Sequence, residues 1–598
     1  MNDHKNMILA VVLSALVLLG WSFLTERYFP AASEPSTKIV QGKQVPVQQR
    51  SGAPTAAAPG AAAPAPRRIA ATPRLRIETP RLRGSVNLRG ARIDDLLLTT
   101  HRESIAANSR PVRLFAPEGA AHAYFGSFGW TGEGLAAPGP DTVWRASGER
   151  LAPGAPVTLS WDNGRGQLFE IVLTVDDGYL FSVEQRVTNR GEGPIASRPF
   201  ALINRIGRSR DPDPWTAHVG PVGVFSGNAD YDNDWDVVDQ GTRSFNSRGG
   251  WLGFTDQYWL AAVIPDQGTN VEAAFRHNGA TNSYQADYQA APAIVQPGQT
   301  HRYRSHLFAG AKEVQLLDRY SDELGTELER AIDWGWFRWF MIPIFSLLNW
   351  LFAMIGNFGV AIIGLTVIVR ALLFPIAQKQ FASMAAMRVL QPKIKQLQER
   401  YKDDKPRMQQ EMLTLYKEER VNPMAGCLPI LLQIPIFYAL YKVLLLAVEM
   451  RHEPFALWIR DLSAPDPLTP VNLFGYLAFQ PPAFLAIGVL PILLGITMWL
   501  QFRLNPAPMD PVQKQVFAFM PWILMFMMAP FAAGLQLYWT VNNIISIGQQ
   551  KLLYARHPVL KSQAAAEAPA PEPAPSPPPP PPPSPRPPRS AKRRPKAR

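Results

Sequence analysis

Apolar residues are unevenly spread along the chain. They form one run near the start, Met7–Leu24, and several more after about Trp334, with a long alternating stretch between. Phe358–Ala377 (FGVAIIGLTVIVRALLFPIA) organises the rest: about twenty residues, enough to cross a bilayer as one helix. Its one charge is Arg370. A charge at mid-membrane costs roughly 2.5–3.5 kcal/mol on insertion scales, so it is kept where it meets water, a partner or a substrate. At about 1.5 Å per residue from Asn357, Arg370 lies roughly 20 Å into a core about 30 Å thick. It either snorkels to the headgroups beyond or faces a polar cavity opening towards the inner leaflet. The cavity is the working expectation.

In chain order, 1–30 reads as an uncleaved signal anchor, because its apolar stretch is long and holds Trp21 and Phe23. Residues 31–74, rich in Ala, Pro, Gln and Ser, read as an extended flexible linker. From 75 to 312 the period is two: Phe181, Val183 and Val187 alternate with Ser182, Glu184, Arg186 and Thr188. Many short strands without helical runs indicate an antiparallel sandwich. Trp130, Trp144, Trp161, Trp235, Trp251 and Trp259 are expected to fill its core rather than line a sugar or peptide groove. Asp211, Asp213 and the Asp230–Asp236 cluster lack calcium-ligand spacing and read as solvated turns.

Residues 313–356 connect this domain to the apolar runs. Val314, Leu317, Tyr320, Leu324, Leu328 and Ile332 predict a helix over Glu313–Ile332. Trp334–Ile355 is broken by Pro343 and carries four tryptophans, which predicts a helix lying on the membrane surface. After the organising span, 383–420 reads as a helical hairpin. Met387, Leu390, Ile394, Leu397 and Tyr401 form one seam, Met408, Met412 and Leu415 the other. Further spans are expected at Leu428–Val448 (interrupted by Gln433, Tyr441 and Lys442), Ala483–Leu500, Val516–Ala533 and Leu535–Ile547. The last is only about thirteen residues long, which predicts local bilayer thinning. The tail, 552–598, turns Pro-rich and then basic and reads as disordered.

Charge orients these runs. Between Gln378 and Arg420 ten Lys/Arg stand against six Asp/Glu, which puts the hairpin inside. The acidic loop Glu449–Pro470 fits the outside, and the basic C-terminus the inside. The result is six spans, with the β domain outside and both termini inside. The net charge is +12. A single cysteine, Cys427, excludes a disulfide framework and a cysteine metal cluster. Neither GxxxxGK[ST] nor a Rossmann fingerprint occurs, and no cofactor, metal site or catalytic constellation is expected.

NFGVAIIGLTVIVRALLFPIAQKQ, MRVLQPKIKQLQERYKDDKPRMQQEMLTLYKEERVNPMAGCLPILLQIPIFYALYKVL and EPFALWIRDLSAPDP together resemble the YidC-type membrane protein insertases of Gram-negative bacteria, relatives of the mitochondrial Oxa proteins. The match covers about Trp334–Lys551, and the order of anchor, β domain and core extends it over nearly the whole chain. The basic Pro-rich tail lies outside the common pattern. The resemblance implies an α-helical polytopic bundle of six spans, a five-span core at 357–551, a periplasmic supersandwich-like β domain and a cytoplasmic hairpin. It implies a hydrophilic groove in the inner membrane, closed outside and containing Arg370. Thr366, Gln433, Tyr438, Tyr538, Trp539, Asn542 and Asn543 are the other groove candidates. Newly made membrane proteins would be the substrates, with membrane lipids, the Sec translocon and the ribosome as partners. Ribosome or nascent-chain contacts would fall on Lys393, Lys395, Arg400, Lys402, Lys405 and Arg407 of the hairpin, and on Lys592, Arg593 and Arg594 of the tail. The tail basic run would meet ribosomal RNA or anionic lipid.

Two other classes predict different features. An anion transporter using Arg370 predicts an inverted repeat of broken helices, and no second segment resembles Phe358–Ala377. A membrane-anchored carbohydrate-active protein needs a converging carboxylate pair, which the sequence does not display.

Overall fold

A computed structural model describes residues 37–40, 43–46, 72–209, 217–402, 404–419, 428–475, 477, 487–504 and 511–556. The expected anchor, Asp211, Asp213 and the tail lysine and arginines lie outside these residues. The chain divides into two units, 1–55 and 56–598. In the first, Thr37–Val40 pairs antiparallel with Lys43–Pro46. That corrects a wholly irregular 31–74: β-branched Ile39, Val40 and Val45 favour extended, pairable backbone.

In the second unit the β region forms a nine-stranded and an eleven-stranded sheet. In the first, Thr300–Ala311 lies between Leu180–Asn189 and Trp259–Ile264. In the second, Ile195–Ile206 lies between Ser283–Ala290 and Tyr124–Thr131. Pairing is antiparallel except where Arg74–Glu78 meets Arg150–Leu151. Alternation decides which face of each strand is buried: Phe181, Val183 and Val187 are inside, with Phe169 and Leu307. The position between Val183 and Val187 is Gln185, also buried; its Nε2 donates to the Gly129 carbonyl at 2.7 Å and ties one sheet to the other. Trp130, Trp144, Trp235 and Trp251 are buried in this core, while Trp161 and Trp259 are half-buried. A short helix, α1 (Trp235–Gln240), begins within the acidic cluster and takes Asp236 into its first turn.

Helix α2 spans Val314–Leu324 and ends at Gly325, left-handed at φ 63°. The expected continuous helix to Ile332 is therefore two pieces, the second a single 3-10 turn, Leu328–Ala331. Ser321 Oγ accepts from the Glu329 N–H at 3.0 Å and folds the turn back, so Leu328 and Ile332 reach the same core after the break. Helix α3, Arg338–Ile355, is uninterrupted, and Pro343 does not break it. By length and composition alone it could cross a membrane.

The organising run is not one helix. Helix α4 is Phe358–Leu372 and α5 is Phe374–Arg400, and they meet at 59°. Pro375 has no N–H, and its ring blocks the carbonyl four residues earlier, so the α4 ladder ends there. Helix α6, Lys405–Glu418, returns alongside α5. Leu390 and Ile394 are buried, and Lys393 Nζ reaches Glu419 Oε1 at 2.6 Å. Then come α7 (Leu428–Leu446), α8 (Val489–Leu504), α9 (Pro511–Met528) and α10 (Ala533–Arg556). Relative to the expected spans, α8 and α9 differ at both ends; α9 starts on a proline, which suits a first turn. At 24 residues α10 is far longer than the thirteen expected, because Gln549, Gln550 and Lys551 are good helix formers. The argument for bilayer thinning loses its premise. Helix α10 packs against α8 and α4, and α3 against α4.

The sandwich is joined to the bundle by named bonds. Gln257 Nε2 donates to the Leu445 carbonyl at 3.0 Å, and Lys442 Nζ to the Asp333 carbonyl at 2.8 Å. Glu449 Oε1 accepts the Val314 N–H at 2.8 Å.

Candidate functional site

Arg370 falls in the last turn of α4. The guanidinium turns to α10, where Nε donates to Asn542 Oδ1 at 2.6 Å and Nη2 to the Asn542 carbonyl at 3.4 Å. Among the described residues it forms no ion pair. Asn542 is buried, and Tyr538 stands one turn before it. Gln433 of α7 donates to the Tyr538 hydroxyl at 2.6 Å. A polar line thus runs Arg370–Asn542–Tyr538–Gln433 across three helices, α4, α10 and α7.

The remaining candidates sit around it. Asn543 is buried and donates to Thr497 Oγ1 of α8 at 3.2 Å. Trp539 packs edge-on to Phe437 at 4.8 Å, and Tyr438 is half-buried. Thr366 is fully buried, and its hydroxyl donates to the Ile362 carbonyl of its own helix at 2.7 Å. That hydroxyl is spent within α4. On the hairpin, Lys393, Lys395, Arg400, Lys402 and Arg407 are exposed, with Arg407 over the Tyr401 ring. Lys405 lies at the start of α6.

Several polar residues on α10 were not singled out from sequence. Gln536, Thr540, Ser546 and Gln550 are all buried. Gln536 Nε2 donates to the Met528 and Phe531 carbonyls at 2.9 and 2.8 Å, holding the turn from α9. Gln536 Oε1, Thr540 Oγ1 and Gln550 Oε1 are buried without a partner among the described residues. Each unpaired buried polar group costs about 1–3 kcal/mol. The signal was present in the chain: Gln536, Thr540, Asn543 and Gln550 recur at 4, 3 and 7, a polar stripe on an apolar helix.

Of the acidic cluster, Asp236 is paired with an arginine that also holds Asp239 of α1. Arg208 Nη2 bonds Asp236 and Asp239 at 2.5 and 2.6 Å, and Tyr284 donates to Asp239 at 2.7 Å. No group of three His, Cys, Asp or Glu among the described residues is placed to hold a metal ion.

Two family descriptions match the chain: "YidC periplasmic domain" over residues 74–347, and "60Kd inner membrane protein" over residues 350–561. A protein of Zymomonas mobilis named "Membrane protein insertase YidC" is 48% identical, covering 93% of this chain and 96% of that one. The chain belongs to the YidC family. A protein of the same name from Methylorubrum extorquens is 43% identical over the same shares. A solved structure described as "Active YidC insertase crystal structure with the first transmembrane domain resolved" is similar at 18% identity and TM-score 0.35, covering 82% of this chain and 94% of that one. Family membership accords with a chain that pairs a β-rich domain with a set of apolar helices.

Proposed function

We propose that this YidC-family protein inserts newly made membrane proteins into the bacterial inner membrane and helps them fold. The observation that carries the reading is Arg370, held by Asn542 inside an apolar bundle and without an acidic partner among the described residues. A guanidinium stays charged at any relevant pH. Fixed in place, it attracts acidic residues of a polar segment that must cross. Water reaching this polar line would shorten the dry path that segment must take. The apolar helix of the substrate leaves sideways into lipid, driven by burial of its CH₂ groups. Partitioning and, for acidic segments, the membrane potential supply the energy.

The protein is multi-pass, with six spans, the β domain periplasmic, the α5–α6 hairpin cytoplasmic and both termini inside. The charge distribution supports this topology. Helix α3 lies at the outer membrane surface: Met341, Ile344, Phe345, Leu348 and Leu351 are buried against the protein, while Trp339 and Trp350 face outwards. The exposed hairpin cations, and the tail beyond them, meet the ribosome or the nascent chain, and some substrates arrive through the Sec translocon.

The test is insertion into proteoliposomes containing only this protein, using a single-span substrate with an acidic translocated segment, scored by protease protection. Wild type is expected to insert it. Arg370→Glu is expected to reduce insertion by about tenfold or more, since it turns an attraction of about 1.4 kcal/mol or more into repulsion. Arg370→Ala is expected to fall between them. Equal insertion by all three would remove the charge mechanism, and no insertion above empty liposomes would remove the insertase reading.

A further inference from the structure

The helix N-termini on the β-domain side of the bundle are served by one segment. Each N-terminus leaves N–H groups with no partner inside its own helix, and Val448–Leu468, after α7, supplies acceptors to three of them and braces the cap of a fourth. Glu449 Oε1 takes the Val314 N–H at the start of α2 (2.8 Å). The Phe455 carbonyl accepts from Asn357 Nδ2 at 2.9 Å, and Asn357 Oδ1 in turn caps α4 through the Val360 N–H at 3.0 Å. The Ala464 and Leu462 carbonyls take the Ala533 and Gly534 N–H groups opening α10, at 2.8 and 2.9 Å. The Leu468 carbonyl takes the Val489 N–H opening α8 at 3.0 Å.

Asp466 is the hub. It is 5% exposed. Its Oδ2 accepts the Leu490 N–H of α8 at 2.7 Å; its Oδ1 accepts Trp458 Nε1 at 2.9 Å and the Leu468 N–H at 3.0 Å. The fit around the segment is close. A Cβ on Gly359 would come within 2.1 Å of the Phe455 ring, and Leu462 is fully buried. Arg451 secures the segment to the sandwich, donating to the Arg102 carbonyl at 2.7 Å with its guanidinium 5.3 Å from the Trp259 ring.

We infer that Val448–Leu468 is a clasp holding the β-domain end of the bundle shut, and that Asp466 is its main positioning residue. Asp466 touches no substrate; it acts through α8 and Trp458. The functional consequence rests on the insertase reading above. On that reading, a polar segment drawn towards Arg370 enters from the hairpin side while the β-domain end of the bundle stays sealed against leakage.

The test places a reporter cysteine at Leu494, buried in α8, in full-length protein whose only native cysteine is changed, Cys427→Ser. Membrane vesicles of both orientations are treated with a membrane-impermeant maleimide. Without further change, Leu494→Cys is expected to stay unlabelled from the β-domain side. Asp466→Ala is expected to raise labelling from that side about tenfold, the scale of a lost helix cap with its added bonds. Asp466→Asn keeps the shape and one acceptor oxygen, and is expected to restore most of the protection. That partial rescue separates capping from mere loss of volume. If Asp466→Ala does not fold, Trp458→Phe, which removes only the indole donor, is expected to raise labelling by a smaller factor. Parent-level labelling in any folded variant lacking the bond, Asp466→Ala or Trp458→Phe, overturns the inference. Labelling is read independently of insertion, so failure of the clasp and failure of the insertase reading are seen separately.

Discussion

In the sandwich Arg205 Nη1 donates to Asp256 at 3.1 Å, and its guanidinium lies 4.9 Å from the Tyr124 ring and 5.2 Å from the Trp235 ring. Arg276 reaches the buried Asp287 at 2.9 Å. In the bundle Arg370 meets an amide, and Lys442 donates to a backbone carbonyl at 2.8 Å with a carboxylate oxygen of Asp333 at 4.0 Å. A buried cation costs several kcal/mol in desolvation wherever it sits. The sandwich recovers this with permanent carboxylates and rings, so its charges serve structure. The bundle leaves Arg370 incompletely compensated, which suits an anionic partner that comes and goes.

The comparison can be broken at three places. The largest effect is expected from Asp256→Ala, which takes from buried Arg205 the carboxylate it is paired with and should cost about 3–5 kcal/mol. Thermal unfolding of the full-length protein in detergent measures it, and a cost below about 1 kcal/mol would mean that the sandwich tolerates an unmatched charge as the bundle does.

Next is Glu449, at the junction of the two regions. Burial pushes its carboxyl up from the usual 4.5 to about 7, against the Val314 N–H bond that lowers it. Glu313 nearby is held down to about 2: burial opposes this, but His101 close by, hydrogen bonds from Arg81 and Tyr179 and the Arg81 charge outweigh it, so Glu313 does not titrate in the same range. The folded junction therefore favours protonated Glu449. Its contribution is full below about pH 4.5, declines as pH rises to about 7, and declines no further above that. Glu449→Gln should remove this decline, worth up to about 3 kcal/mol, so the variant melts like wild type at pH 5 and higher than wild type at pH 8. Equal melting at both pH values would show Glu449 already ionised and matched.

The smallest effect is expected at Thr366. Because its hydroxyl is bonded within α4, Thr366→Val should lower insertion less than about threefold, under about 1 kcal/mol. A larger loss in the proteoliposome assay would put Thr366 on the cavity wall.

How much could be read in advance follows from the range of each interaction. The sandwich was legible because a period of two over Leu180–Asn189 is a local signal, and Gln185 appeared only as a gap in it. Apolar runs gave the helices, but not their ends. The apolar run continues past the corner from Leu372 to Ile376 with no charge to mark it, whereas the bend comes from one missing N–H at Pro375. Arg370 stood out as a lone charge, yet its bond to Asn542 spans 172 positions and depends on which way two helices face. The clasp was hidden for the same reason: Asn357 and Phe455 are 98 positions apart, and most of its acceptors are backbone carbonyls that no residue type announces. Of the stripe Gln536, Thr540, Asn543 and Gln550, only Asn543 was among the groove candidates, although its spacing of 4, 3 and 7 is a local signal.

The bend between α4 and α5 has a mechanical side. Helix α5 has 27 residues and is about 40 Å long. Its root is the corner at Leu373 and Phe374, three residues beyond Arg370. It is a lever with a short arm at the guanidinium and a long one at the hairpin tip. A tilt of about 10° at the corner would move the tip by roughly 7 Å but the first turn by only about 1 Å. Large displacements at the basic tip therefore reach the polar line geared down, as small and well-directed shifts.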